Sequence, residues 1–171
     1  MDTQPPFWAF AWVGGQAIAR YLLDNPEVLA GARILDFGAG SGLCAIAAAK
    51  GGAASVLAAD TDPFAAEAAQ MNAETNAVDV GFTACDLLAD EPPEIDLIVA
   101  GDVCYEEPMA TRVLIWLRRA HALGSQVLIG DPGRAYLPSA GLTALAEYEI
   151  PTTRDLEGVE VKRTRVFAFR P

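Results

Sequence analysis

Short apolar runs of strand character alternate along this chain with stretches whose apolar residues recur at helical spacing. ARILDFG (residues 32–38) precedes LCAIAAAK, and SVLAAD (55–60) precedes PFAAEAAQMNAETNA. GFTACDLL (81–88) and a proline-rich loop then lead to DLIVAGD (96–102). Such alternation predicts an α/β fold with a parallel sheet. In the second helix Phe64, Ala68, Met71 and Thr75 share the face expected to pack on the sheet, with Glu67, Gln70 and Glu74 turned elsewhere. Asp62 before Pro63 has the form of an N-cap followed by proline in the first turn. A further helix from about Glu107 to Ala122 gathers Met109, Val113, Trp116 and Leu117 on one side and turns Arg112, Arg118 and Arg119 away. SQVLIGD supplies a fifth strand, and AEYEI and RTRVFAFR, separated by the polar PTTRDLEGVEVK, form a hairpin expected at an antiparallel edge.

A chain of 171 residues, 52% hydrophobic and without repeat, low-complexity tract or linker, suits one domain spanning 1–171 with a sizeable core. A formal charge of −11 argues against a broad basic surface, so no nucleic-acid partner is expected. Cys44, Cys85 and Cys104 are far apart and form no CxxC pair, which fits reduced thiols in or near the core rather than a zinc cluster or a disulfide framework; no metal is expected. No apolar run approaches a membrane span, and the N-terminus has neither a basic apolar signal nor an Arg-rich transit pattern. The expectation is a soluble, cytoplasmic monomer.

ILDFGAGSG (34–42) leaves a strand and opens a helix, where glycines let a ligand approach the backbone and helix amides face it. The dinucleotide pattern GxGxxG is not met, because the third glycine is Gly42 and the required position holds Leu43. Asp36 stands two residues before Gly38, a poor neighbour for a phosphate and a good one for an ammonium group. Asp60 ends the second strand, where a carboxylate can accept from both hydroxyls of a ribose, and Asp86 ends the third, where it is expected to cap an adenine edge. Each aspartate alone is equally well a turn former or a helix cap. Together they describe S-adenosylmethionine better than NAD.

DFGAGSG, AADTDP and GDVCYEE resemble the class I, seven-stranded S-adenosylmethionine-dependent methyltransferases over nearly the whole chain. Within that class PFWAFAWVGGQAIARYLLDNPEVLAG and LIGDPGR resemble the lysine methyltransferases of the electron-transfer flavoprotein beta subunit. The resemblance implies a doubly wound, mostly parallel seven-stranded Rossmann-like sheet with a C-terminal antiparallel hairpin. It also implies that Asp36, Gly38, Gly40 and Asp60 bind cofactor; Trp12, Ala39, Thr61, Asp86 and Gly101 complete the expected cofactor-binding set, and S-adenosylhomocysteine is the expected product. The family's acidic residue and the aromatic three positions later fall on Asp102 and Tyr105, near which an acceptor lysine is expected.

Methyl transfer to an amine needs a neutral nitrogen lone pair aimed at the methyl carbon, so positioning is expected to supply most of the rate. Asp102 would hold the incoming ammonium and orient the amine, with Tyr105 shaping the channel. An unperturbed carboxylate is a weak base, and proton loss to water stays open, as does a purely structural cap at Asp102. Trp8 and Trp12 either wall the channel or simply pack. Asp131-Pro132-Gly133-Arg134 has the form of a turn carrying a surface salt bridge, which the resemblance makes a candidate acceptor-site loop. His121 sits near a helix C-terminus and is assigned no catalysis. Methylation of a small nicotinamide-like amine, and cofactor binding without turnover, are the alternatives.

Overall fold

The computed structural model describes residues 6–170; residues 1–5, on which part of the N-terminal reading rests, lie outside them. In chain order the strands are β1 (Arg33–Phe37), β2 (Ser55–Ala59), β3 (Gly81–Thr83), β4 (Leu97–Gly101), β5 (Gln126–Asp131), β6 (Leu142–Pro151) and β7 (Val161–Phe169). The helices are α1 (Val13–Asp24), α2 (Leu43–Lys50), α3 (Pro63–Thr75), α4 (Met109–Ala122) and the single turn α5 (Arg154–Glu157). The strands form one sheet in the order β3-β2-β1-β4-β5-β7-β6, parallel up to β5 and antiparallel beyond it. This is the expected doubly wound, seven-stranded sheet, with the hairpin at its edge.

Alternation along the central strands builds two cores. Ile34, Val56, Val99 and Leu128 face α1 and α2, whereas Leu35, Ile98, Val127 and Ile129 face Val113, Trp116 and Leu117 of α4. Strand order reverses between β1 and β4, which opens a crevice at their carboxyl ends.

Two helix faces differ from expectation. On α3 the buried residues are Ala65, Ala69 and Ala73, while Phe64 and Met71 are 63% and 68% exposed. The helical period is right but its phase is shifted by one position, because alanines allow a closer approach than large side chains. A Cβ on Gly42 would stand 2.9 Å from that of Ala69, and Gly42 also takes φ +84 as it opens α2. Glycine at this position therefore serves the α2–α3 packing as well as the loop. On α4, Met109 is exposed and Ala110 and Ala120 join the buried stripe. Cys44 and Cys104 are buried as expected, but Cys85 is exposed beyond the end of the three-residue β3.

Helix α1 crosses β4 and β5 so closely that only glycine fits at the crossing. A Cβ on Gly130 would meet the Gly14 carbonyl, and would lie 2.8 Å from Ile18 Cγ1; one on Gly101 would lie 2.7 Å from the Gly15 nitrogen. The obstacle in each case is mainly backbone, which cannot swing aside. Gly130→Ala should therefore lower stability by about 2–3 kcal/mol, read from the urea midpoint. Gly81→Ala should be nearly silent, since its Cβ would meet only ordinary contacts at 3.5 Å. Equal midpoints for the Gly130 variant and the parent would refute the close crossing.

Candidate active site

The crevice widens into a cavity of about 940 Å³ lined by the glycine loop, the ends of β1, β2 and β4, the start of α4 and the segment before α1. Every residue singled out from the sequence as catalytic or cofactor-binding lines this one cavity, from Trp12 to Tyr105. Ahead of α1, Phe7–Ala9 forms a 3-10 turn whose Trp8 carbonyl would stand 3.2 Å from a Cβ on Gly40. Trp12 Nε1 donates to the Phe7 carbonyl at 2.8 Å, and the Phe10 ring meets the Trp12 ring edge-on. An aromatic wall thus faces the glycine loop, with the exposed Phe64, Tyr105 and Met109 at the mouth.

The carboxylates on the floor are held by backbone amides. Asp36 Oδ2 accepts from the Ala45 amide in the first turn of α2 at 2.8 Å. Burial pushes the Asp36 carboxyl up to about 7; the Ala45 bond opposes this and the nearby charge of Asp60 adds to it. Asp60 accepts from the Gly40 amide at 2.9 Å through Oδ2 and from the Asp62 amide at 3.0 Å through Oδ1. A carboxylate oxygen has two lone pairs, so each keeps one for a hydroxyl donor in the cavity. Asp62 accepts from the Phe64 amide, the expected N-cap. Asp86 does not end β3, which stops at Thr83, but caps the following 3-10 turn Leu87–Ala89 through the Leu88 amide and lies 3.6 Å from Arg112.

Asp102 is the most constrained of these residues. It is 7% exposed and takes φ +56 in the left-handed region, and its own amide donates to the Gly130 carbonyl at 2.9 Å. Oδ2 accepts from the Gly14 amide at 2.5 Å and from Gly15 at 3.3 Å, which places a carboxylate at the positive end of α1. Oδ1 accepts from Arg134 Nε at 3.1 Å and Nη2 at 2.7 Å. Burial raises the Asp102 carboxyl to about 6, with Arg134 and the Gly14 amide opposing the rise. The DPGR turn after β5 is present, Asp131 Oδ1 accepting from the Gly133 and Arg134 amides at 2.6 and 2.7 Å. Its arginine, however, does not make a surface salt bridge. Arg134 reaches inward between Asp102 and Glu157, bonding Glu157 Oε1 at 2.5 Å and Oε2 at 3.1 Å, and its guanidinium lies over the Trp12 ring.

The charge inventory fits one kind of ligand. Among the described residues, the ionisable groups that give the cavity charge are Asp36, Asp60, Asp62, Asp86, Asp102 and Glu106, against one cation, Arg134, already paired twice. A pyrophosphate would find no counter-charge here, whereas a ligand carrying a sulfonium and an ammonium is matched.

Known proteins bear on this geometry. The family model described as ribosomal protein L11 methyltransferase (PrmA) matches residues 17–103. The chain is 43% identical to the electron transfer flavoprotein beta subunit lysine methyltransferase of Xenopus laevis, with 97% of this chain and 70% of that protein covered. It is 38% identical to that of Homo sapiens, covering 97% and 66%. The chain belongs to the electron transfer flavoprotein beta subunit lysine methyltransferase family. It spans about two thirds of the length of these relatives. The fold is also that of the ribosomal protein L11 methylase of Lactobacillus delbrueckii subsp. bulgaricus (TM-score 0.65, 24% identity, 100% of this chain and 92% of that one). It is likewise that of magnesium protoporphyrin IX methyltransferase from Synechocystis PCC 6803 with bound SAM (TM-score 0.66, 17% identity, 91% and 78%).

In this methyltransferase, reading the sequence missed the pair Gly14-Gly15, Glu157 and the inward course of Arg134. Two successive glycines inside a helix are costly and were the available signal for the first. No local pattern announces Glu157, which reaches the site only through the hairpin. His121, assigned no chemistry, stacks on Phe169 with ring centroids 5.6 Å apart and lies outside the cavity.

The buried carboxyls make the stability of the ligand-free methyltransferase depend on pH. Asp36 at about 7 and Asp102 at about 6 both stand above the unfolded aspartate value of about 3.9. The folded state thus keeps protons that the unfolded chain has released. The stability these groups contribute is complete below about pH 4 and is lost as the pH rises through about 6 and 7. Asp36→Asn removes one of them while retaining an acceptor for the Ala45 amide. Its unfolding midpoint, taken relative to the parent, should climb steadily from about pH 4 to pH 8; a constant difference would exclude this ionisation.

Proposed function

We propose that this methyltransferase uses S-adenosylmethionine to methylate a lysine side chain on a folded protein, electron-transfer flavoprotein beta subunit. The observation that carries the reading is the 43% identity to a named lysine methyltransferase of that protein across 97% of this chain. The acidic cavity, suited to a cationic cofactor and a cationic acceptor, supports it.

S-adenosylmethionine, when bound, supplies a methyl group on a cationic sulfur, and S-adenosylhomocysteine is left. Asp60 would hold the ribose hydroxyls through its free lone pairs, and Asp36, whose second oxygen is not used by the Ala45 amide, would meet the ammonium group. Gly38, Ala39, Gly40, Thr61 and Gly101 would form the walls against which the cofactor lies, Asp86 would border the adenine, and Trp12 would close the side nearest α1. The acceptor would enter between Tyr105 and Met109. A lysine amine is protonated in water, with a pKa of about 10.4, and burial among apolar side chains favours the neutral form that carries the lone pair. Asp102 touches neither proton nor amine in this reading. Expected from the sequence to hold the incoming ammonium, it has both oxygens engaged by Gly14, Gly15 and Arg134 and would instead fix the floor on which the acceptor rests.

The decisive assay is methyl incorporation into purified flavoprotein, read by peptide mass spectrometry, beside a panel of small amines that includes nicotinamide. Methylated lysine in the flavoprotein is expected; modification of the small amines alone would overturn the substrate reading. Asp60→Ala should weaken S-adenosylhomocysteine binding about 10- to 100-fold, from the loss of charge-assisted bonds contributing about 1.5–3 kcal/mol. Calorimetry finding unchanged affinity would remove Asp60 from the ribose site. Tyr105→Phe should keep most activity, since the ring shapes the channel, whereas Tyr105→Ala should lose most of it.

A further inference from the structure

The side chains of Asp102 and Glu157 are both buried and lie 55 positions apart in sequence, yet one guanidinium spans them. The Arg134 side chain is 20% exposed, that of Asp102 8% and that of Glu157 2%. Removing charged groups from water to this degree is costly unless all are paired and hydrogen-bonded, and here they are: Arg134 makes two bonds to Asp102 and two to Glu157. Lys162, 3.9 Å from Glu157, stands at the outer end. Asp131, next to the pair, has one buried oxygen with no hydrogen-bond partner among the described residues, so Arg134 is also the cation that offsets a third acid.

Glu157 belongs to α5, in the loop between β6 and β7, and its neighbour Leu156 lines the cavity. This loop reaches the cavity from the far edge of the sheet, and the fork of Arg134 fastens it to the end of β4. The same guanidinium covers Trp12 in the aromatic wall. Three separate segments that line the cavity are therefore registered against one planar group. A lysine in place of Arg134 would keep the charge and lose the fork.

We propose that Arg134 is a positioning residue for methyl transfer, acting through Asp102 and Glu157 to set the acceptor side of the cavity rather than to bind the cofactor. The inference rests on the methyl-transfer reading above. A displacement of about 1 Å at a reacting centre can cost about 100-fold in rate. Arg134→Met should accordingly lower kcat toward flavoprotein beta by about 100-fold, while S-adenosylhomocysteine affinity stays within about threefold of the parent. Arg134→Lys should recover about a tenth of parental kcat or more, and Glu157→Gln, which leaves Asp102 paired, should fall between parent and Arg134→Met.

These variants are compared in the whole 171-residue chain by steady-state kinetics and calorimetry. Unchanged kcat in Arg134→Met would overturn the proposal. So would a loss of cofactor affinity matching the loss of kcat, or a lysine variant no better than the methionine one. If Arg134→Met does not fold, Arg134→Lys and Glu157→Gln carry the same split between kcat and affinity. Should the parent itself fail to methylate the flavoprotein, the substrate reading fails separately, and amide hydrogen exchange decides on Arg134. Faster exchange at Gly14, Gly15 and the α5 loop, with the glycine loop unaffected, supports it; uniform or absent change overturns it.

Discussion

The carboxylate of Asp102, taken out of water and set against the first amides of α1, is the contact on which the rest of this site depends. An isolated buried carboxylate is strongly disfavoured, so its partners must arrive together: two amides from the helix start and the fork of Arg134. The amides can reach it only because Gly14 and Gly130 let α1 touch the sheet. That closeness fixes the tilt of the helix and, through Trp12 at its N-terminus, the aromatic wall of the cavity. The left-handed φ of Asp102 is the local cost, on the order of 1–3 kcal/mol, of turning the side chain back under the helix. The geometry of the candidate site and the stability of the fold are thus coupled at one residue.

Opposite this anchor the glycine loop solves a different problem. Its amides are largely spent within the protein: Gly38 and Ala39 donate to the Ala59 carbonyl, Gly40 to Asp60 and Gly42 to Ala39. A loop that turns its donors on its own carboxylate and carbonyls is not a phosphate cradle, although its spacing superficially resembles one. What it offers instead is shape and acidity. The nearby charge of Asp60 raises the cost of ionising Asp36, and a cationic ligand relieves that cost directly.

The alternation of strands and helices and the carboxylates near the strand ends were legible because each rests on a local pattern, whereas the strand order is set by pairings remote in sequence. Ile34 and Leu35 alternate, Asp60 terminates a run, and Asp62-Pro63 opens a helix. The phase of α3 was not legible. Phe64 and Met71 make a plausible apolar face, and only the nearness of Gly42 to Ala69 shows that small residues take the buried side. The engagement of Asp102 was equally hidden, for its four donors come from α1 and from the turn after β5. Arg134 reads as a surface residue while its partners are unknown, since DPGR is an ordinary turn and nothing near it in sequence announces Glu157. Long-range ion pairs of this kind are fixed by topology, here by the return of the β6–β7 loop over the end of β5.

The same burial has opposite consequences for the two kinds of charge that meet in the cavity. It pushes Asp36 and Asp102 up, toward their neutral forms, and it pulls an entering amine down toward its own neutral form. Paired carboxylates counter the first effect without undoing the second, provided they are already occupied by internal donors. An unengaged Asp102 beside the acceptor would hold the ammonium and keep the proton on the nitrogen, stabilising the unreactive species. Locked to Gly14, Gly15 and Arg134, it would keep the acidic environment that draws a cation in while forming no direct ion pair to hold it protonated. In this reading attraction and activation are separate: the exposed Glu106 would serve the first, and burial of the amine beside apolar lining residues such as Val103 and Val113 would serve the second.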